Sequence, residues 1–66
     1  MNEDDYKRTL RGDKNLEGAD LRNVNLRDAD LAGANMSNAN LDYADLAGAN
    51  MSNANLAGVK GAPYLH

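Results

Sequence analysis

A period of five residues runs through most of this chain and constrains its fold more than any other feature. A large apolar residue stands at every fifth position from Leu16 to Leu56. Asp or Asn precedes each of them, and Ala or Val stands before that residue in every unit except the first, which has Lys14. The unit is therefore Ala-(Asp/Asn)-Leu-x-x, and the segment LAGANMSNANL occurs twice, at 31–41 and 46–56.

Neither a helix nor a flat strand can place this pattern on one face. Five residues turn a helix by about 140°, which scatters the leucines around it. An odd period sends successive leucines to opposite faces of a strand. The chain must turn between units, and the last x position accordingly holds Gly, Asn or Asp, with Tyr43 as the single misfit. The pattern predicts a solenoid.

The large and small positions of the repeat form the predicted structural core. They are Leu16, Leu21, Leu26, Leu31, Met36, Leu41, Leu46, Met51 and Leu56, with Ala19, Ala29, Ala34, Ala39, Ala44, Ala49 and Ala54.

The run from about residue 15 to 60 resembles the pentapeptide-repeat protein family, whose A-(D/N)-L-x-x motif it matches nine times in succession. The resemblance implies an all-β solenoid, namely a right-handed quadrilateral β-helix in which four units make one coil and Leu and Ala point inward. About two to three coils are available. Asn15, Asn35 and Asn55 would then stack as a polar ladder, whose side chains we expect to bond neighbouring coils.

Three segments are expected. Residues 1–13 form a short helical cap, in which Asp4 and Asp5 suit a helix start and Tyr6 and Leu10 share a face. Residues 14–60 form the repeat helix, and residues 61–66 are a C-terminal cap or tail. Tyr64 and Leu65 either fold over the last coil or pair with another subunit.

We find no catalytic constellation, cofactor site or metal site in the sequence, and predict that the protein is not an enzyme. Ser37 and Ser52 have no histidine base, since His66 is the last residue. Asp20, Asp30 and Asp45 occupy a slot that Asn fills equally well, which favours a structural role.

Composition narrows the functional classes. The chain has no cysteine, a charged N-terminal segment and no long apolar run, so we expect a cytoplasmic protein without a secretory signal or membrane span. A net charge of −3 argues against direct nucleic-acid binding.

The favoured function is a structural or protein–protein interaction module with an unknown protein partner and a possible homodimer through the C-terminal end. The alternative, implied by the resemblance, is an acidic rod that mimics DNA and binds DNA gyrase or another type II topoisomerase, as in fluoroquinolone resistance. Duplex DNA carries a charge about every 1.7 Å, so a rod of roughly 12 Å would need about seven negative charges to mimic it. The net charge of −3 is well below that number and disfavours the DNA-mimic alternative. A further alternative is a truncated or engineered repeat fragment.

Overall fold

A computed structural model describes residues 1–61 of the chain. Its helix, α1, spans Glu3–Leu10. The helix begins one residue before the predicted start at Asp4, because Asn2 is the N-cap and accepts a hydrogen bond from the backbone N–H of Asp5 at 3.2 Å. Acidic residues in the first turn and Lys7 and Arg8 in the last turn complement the helix dipole.

Beyond α1, residues that are twenty apart in the sequence lie next to each other, and we call each twenty-residue circuit of the chain a coil. Parallel bridges join the Asp/Asn slots of successive coils, and in the last bridge Lys60 stands in that slot. The bridges are Asn15–Asn35, Asp20–Asn40, Asn25–Asp45, Asp30–Asn50, Asn35–Asn55 and Asn40–Lys60. At the first bridge, Leu16 N–H donates to Asn35 O and Asn35 N–H donates to Lys14 O, both at 2.8 Å.

The bridges involve one residue on each side, and no extended strand occurs within residues 1–61. This differs from the predicted all-β content. The reason is the length of the unit, because a corner every five residues leaves a single residue in position to pair.

Each corner is a tight turn with a positive φ at its third residue. Ala19 N–H donates to Leu16 O at 3.1 Å, and Ala34 N–H donates to Leu31 O at the same distance. The last x position has φ between 60° and 74° in every unit from Gly18 to Gly58. A type II turn requires a positive φ at this residue, which explains the preference for Gly, Asn and Asp. Tyr43 adopts the same conformation, with φ of 61°.

The corner residues also form columns, because residues twenty apart stack. In four pairs of stacked corner residues, a glycine lies next to Asn or Asp. These pairs are Gly18 and Asn38, Asp28 and Gly48, Gly33 and Asn53, and Asn38 and Gly58. A Cβ atom on Gly48 would overlap Oδ1 of Asp28, and one on Gly58 would overlap Oδ1 of Asn38. At these two pairs the side chain of the residue twenty positions earlier therefore occupies the space beside the glycine, whereas a Cβ atom on Gly18 or Gly33 would meet nothing within 4 Å.

The core lies inside the coils. Its large members are almost fully buried: Leu16, Leu21, Leu26, Leu31, Met36, Leu41 and Leu46. Ala19, Ala34, Ala39 and Ala44 are buried with them, whereas Ala29, Ala49, Ala54 and Met51 are only partly buried.

The prediction that Leu56 belongs to the core is wrong for the described residues, since its side chain is 42% exposed. It belongs to the last coil, and no described residue lies above it.

Candidate functional site

The two ends of the coil stack differ, and the N-terminal end is covered by α1. Two backbone groups of Asp20 are paired by this segment: its N–H donates to Asp5 Oδ2 at 2.9 Å, and its C=O accepts from Asn2 N–H at 3.0 Å. On other faces Tyr6 Oη donates to Asn25 O at 2.9 Å, and an Arg8 guanidinium nitrogen donates to Asn15 O at 3.3 Å. The helix thus replaces hydrogen bonds that a preceding coil would make.

Asp5 is the centre of this cap. Its carboxylate accepts from Asp20 N–H and forms an ion pair with Arg8 at 2.6 Å. The hydrogen bond from Asp20 N–H, followed by that from Arg8, lowers the pKa of the Asp5 carboxyl below its ordinary value of 3.8.

The two predicted capping residues of α1 have different environments. Tyr6 is partly buried and packs against the core, but Leu10 is 58% exposed. Thr9 is the buried residue of α1, and its hydroxyl donates to Asp5 O at 2.8 Å. The i, i+4 spacing placed Leu10 beside Tyr6, but the helix rests on the coil through the face that carries Asp5 and Thr9.

The C-terminal end of the stack has no such cover among residues 1–61. In the coil below, Leu31 N–H and Met36 N–H each donate to a carbonyl of the next coil at 2.8 Å. Within residues 1–61 the equivalent N–H groups of Met51 and Leu56 have no hydrogen-bond partner. Tyr64 and Leu65, the predicted C-terminal capping or interface residues, lie outside the described residues.

The side chains of the Asp/Asn slot form hydrogen bonds within their own corners and do not link the coils. Asn35 Oδ1 accepts from Ser37 N–H at 3.1 Å and from Ser37 Oγ at 2.8 Å, and Asn55 Oδ1 accepts from Ala57 N–H at 3.0 Å. The predicted side-chain ladder between coils is therefore wrong at these two positions, where the backbone makes the bonds between coils. An Asp oxygen serves this acceptor role as well as an Asn oxygen, as Asp30 and Asp45 show at 3.1 Å.

Three of the six carboxylates in the coils, those of Asp20, Asp30 and Asp45, lie beside cations. Arg22 contacts Asp20 with two nitrogens at 2.9 and 3.0 Å, and this bond lowers the pKa of Asp20 and raises that of Arg22. Arg27 Nε lies 3.6 Å from Asp45 Oδ2, and Lys14 Nζ lies 3.9 Å from Asp30 Oδ1.

The residues considered for chemistry have structural partners. Ser37 and Ser52 donate their hydroxyls to Asn35 and Asn50 at 2.8 Å. Within residues 1–61, no group of three or more acidic or histidine side chains is placed to hold a metal ion. In the same part of the chain, no helix combines the length and apolar character that crossing a membrane requires.

Sequence reasoning missed Asn2, Arg8 and the special role of Asp5 in the cap. An Asn immediately before an acidic run is a helix N-cap signature and could have identified Asn2. Asp5 contacts Asp20, and Arg8 contacts Asn15. Asp5 and Arg8 themselves lie before the repeat, so its period does not indicate these contacts.

With this geometry in place, comparison with known proteins identifies the class. The family model "Pentapeptide repeats" matches residues 19–58 with eight copies, which is more than half of the chain. The protein belongs to the pentapeptide-repeat family, whose repeats generally form a right-handed β-helix and whose members are typically non-catalytic. Neither the curated proteins nor the solved structures gave a match.

Proposed function

We propose that the chain is a non-catalytic protein–protein interaction module, folded as a short right-handed quadrilateral β-helix and located in the cytoplasm. The twenty-residue bridging interval supports four faces per coil. The family's typical fold supports the handedness. Paired carboxylates and corner-bonded serines support a structural role for the polar residues.

The C-terminal end of the stack, which no residue of 1–61 covers, carries this proposal. Leu56 exposes 42% of its surface there, beside the partly buried Met51 and Val59. The adjacent backbone N–H groups of Met51 and Leu56 have no partner within residues 1–61. Exposed apolar surface beside unpaired backbone donors is the combination that favours edge-to-edge pairing.

The partner we propose for this end is a second copy of the chain. Residues 31–61 carry only two acids and one base, Asp42, Asp45 and Lys60, so two copies meet with little charge repulsion. A twofold pairing of identical ends is the commonest arrangement of homodimers.

Light scattering over a range of concentrations tests the dimer with a matched pair of variants. Leu56→Ser removes an exposed leucine at the C-terminal end, and Leu10→Ser removes one at the opposite end. We expect a concentration-dependent dimer in the wild type and in Leu10→Ser, and a shift to higher concentration in Leu56→Ser. A variant with Tyr64 and Leu65 both changed to Ser measures the contribution of the C-terminal residues. A monomer at every concentration, or equal effects of the two leucines, would refute the C-terminal interface.

The DNA-mimic alternative ranks second. The described residues extend 23 × 22 × 22 Å, which is shorter than one DNA helical turn of about 34 Å. Asp20, Asp30 and Asp45, half of the six acids in residues 15–60, each lie within 4 Å of a cation, which reduces the free negative charge of the coils. Inhibition of gyrase supercoiling by the purified protein would reverse this ranking.

A further inference from the structure

The segment before the first coil places one hydrogen-bond donor against each face of that coil. Every slot carbonyl of the first coil accepts one hydrogen bond from residues 1–14, at distances of 2.9 to 3.4 Å. The pairs are Arg8 with Asn15, Asn2 with Asp20, Tyr6 with Asn25, and Lys14 with Asp30. The donors are a guanidinium, a backbone amide, a phenol and an ammonium group, so this segment closes four equivalent carbonyls with four different groups.

Between coils, the same positions pair with backbone groups of the coil below. Asn50 O accepts from Leu31 N–H at 2.8 Å, and Asn50 N–H donates to Ala29 O at 2.9 Å. In the first coil the N–H groups of Asn25 and Asp30 have no partner within residues 1–61. Residues 1–14 therefore satisfy the carbonyls of this edge but leave two of its N–H groups unpaired, so a coil would complete the edge better than α1 does.

The C-terminal edge carries the groups that a coil below the first one would offer. Within residues 1–61 the N–H groups of Met51 and Leu56 and the C=O groups of Ala54 and Val59 have no hydrogen-bond partner. Since all four faces are built from the same five-residue unit, the first coil of one copy can continue the last coil of another. Slots 15, 20, 25 and 30 of the upper copy would then lie above slots 45, 50, 55 and 60 of the lower copy.

This register would pair the backbone groups of both edges. Leu56 N–H of the lower copy would donate to Asn25 O of the upper copy, as Leu31 N–H donates to Asn50 O within one chain. Asn25 N–H would donate to Ala54 O, and Asp30 N–H would donate to Val59 O. The corner between residues 25 and 30 does not interfere, because the last coil of the lower copy turns at the same place.

The side chains also match in this register. Leu26 of the upper copy would lie above Leu56 of the lower copy, which is 42% exposed in the single chain. Asp30 would lie above Lys60, which has the opposite charge. The contact would thus bury apolar surface and bring no like charges together at these positions.

The helix that occupies this edge is held there mainly by polar contacts. Thr9 is the buried residue of α1, Tyr6 packs against the core, and Leu10 is exposed. A helix of eight residues does not persist on its own in water. Opening of α1 therefore uncovers little apolar surface of the helix itself, and it exposes an edge that fits the C-terminal end of another copy.

We propose that α1 is an assembly stop that keeps copies of this chain from joining head to tail. While α1 is in place, each copy has one free end and association stops at the dimer. When α1 opens, the first coil binds the C-terminal end of a second copy, and such a contact between unlike ends leads to an open chain of copies. This inference goes beyond the proposed dimer, because it concerns the opposite edge and a different contact.

Two substitutions of one exposed residue test the role of α1 in the full chain. Lys7→Pro removes an N–H from the interior of the helix and breaks it, whereas Lys7→Ala keeps the helix. In light scattering over a range of concentrations, we expect the wild type and Lys7→Ala to stop at the dimer and Lys7→Pro to form larger species. Asp5→Ala removes the acceptor of Asp20 N–H without a helix breaker, and it should raise the mass in the same direction. The dispersion of the amide spectrum verifies folding in each variant.

Disulfide formation tests the register, since the chain has no cysteine of its own. Asp30→Cys and Lys60→Cys are made as separate proteins in the Lys7→Pro background, mixed and oxidised. Stacked residues of neighbouring coils lie about 4.8 Å apart, which a disulfide can span. We expect the mixed disulfide to form severalfold faster from this pair than from the control pair Asn25→Cys and Lys60→Cys, because position 25 lies on a different face from position 60.

Two results would overturn the proposal. One is a mass that stays at or below the dimer in folded Lys7→Pro and folded Asp5→Ala, and the other is equal cross-linking of position 60 with positions 25 and 30. A wild type that remains monomeric would refute the C-terminal dimer alone. The growth of assemblies on opening of α1 is a separate readout, so the two proposals fail independently.

Discussion

Two glycines in identical local sequences provide a direct test of the coil stacking. Gly33 and Gly48 both occur in Leu-Ala-Gly-Ala-Asn, and their φ values are 72° and 74°. A Cβ atom at position 33 meets nothing within 4 Å, whereas a Cβ atom at position 48 overlaps Oδ1 of Asp28 from the coil below. Replacement by alanine therefore imposes the same backbone strain at both sites and an additional clash at one.

The magnitudes follow from these contacts. Alanine in the left-handed region costs about 1–2 kcal/mol, of which roughly 0.5–1 kcal/mol is recovered from the lower entropy of the unfolded chain. Gly33→Ala should therefore destabilise the fold by about 0.5–1 kcal/mol. In Gly48→Ala the Asp28 side chain must also leave its rotamer, which adds about 1 kcal/mol. Since 1 kcal/mol shifts Tm by about 4–8 °C in a domain of this size, Gly48→Ala should melt about that much lower than Gly33→Ala.

Thermal unfolding followed by circular dichroism measures the difference. A double-mutant cycle with Asp28→Gly isolates the contact, because removing the Asp28 side chain should abolish the additional cost at position 48 and leave position 33 unchanged. Equal Tm losses in Gly33→Ala and Gly48→Ala would refute the stacking of residues 28 and 48. Persistence of the difference in the Asp28→Gly background would refute the clash as its cause.

Three other predictions concern strain, pH and the core. Tyr43 is 76% exposed at a φ of 61°, so Tyr43→Asn should stabilise the fold by about 0.5–1 kcal/mol in urea unfolding, and a loss of stability would contradict the strain argument. The pKa of Asp5 is lower in the folded state, so the stability that its carboxylate contributes is present above pH 3.8 and is lost as the pH falls through the lower folded value. The unfolding free energy should therefore fall less between pH 5 and 2 in Asp5→Asn than in the wild type. Parallel curves of unfolding free energy against pH would exclude this role of Asp5. Leu21→Ala should cost about 2–5 kcal/mol but Leu56→Ala at most about 1 kcal/mol in the monomer, because Leu21 is fully buried and Leu56 is exposed; equal costs would show that another group covers Leu56.

The repeat made much of the interior predictable from the sequence. A strict five-residue period assigns one role to each slot, so the location of the turns and the inward direction of Leu21 follow from local chemistry. The slot even sets the backbone of Tyr43, whose side chain does not favour a positive φ. Here the fold of the neighbouring units overrides the preference of the individual residue.

The ends could not be predicted in the same way, because their contacts are not periodic. Burial of Leu56 depends on what lies above the last coil, although its slot is identical to that of Leu16. The position of α1 depends on Asn2 and Asp5 pairing with Asp20, which joins residues of unrelated sequence context.

The columns of corner residues give the order of the units a meaning of its own. The duplicated segments are offset by fifteen residues, while the path closes every twenty, so copies of the same corner never stack on each other. An offset of twenty would place glycine on glycine and amide on amide. Deleting a single unit also changes these pairs: without residues 31–35, Asn53 would take the place of Gly48 above Asp28, where a Cβ atom overlaps the Asp28 carboxylate. An insertion or deletion of whole units therefore gives the later corner residues new neighbours in the coil below, and the corner side chains that it brings together restrict the length changes by which such a protein can evolve.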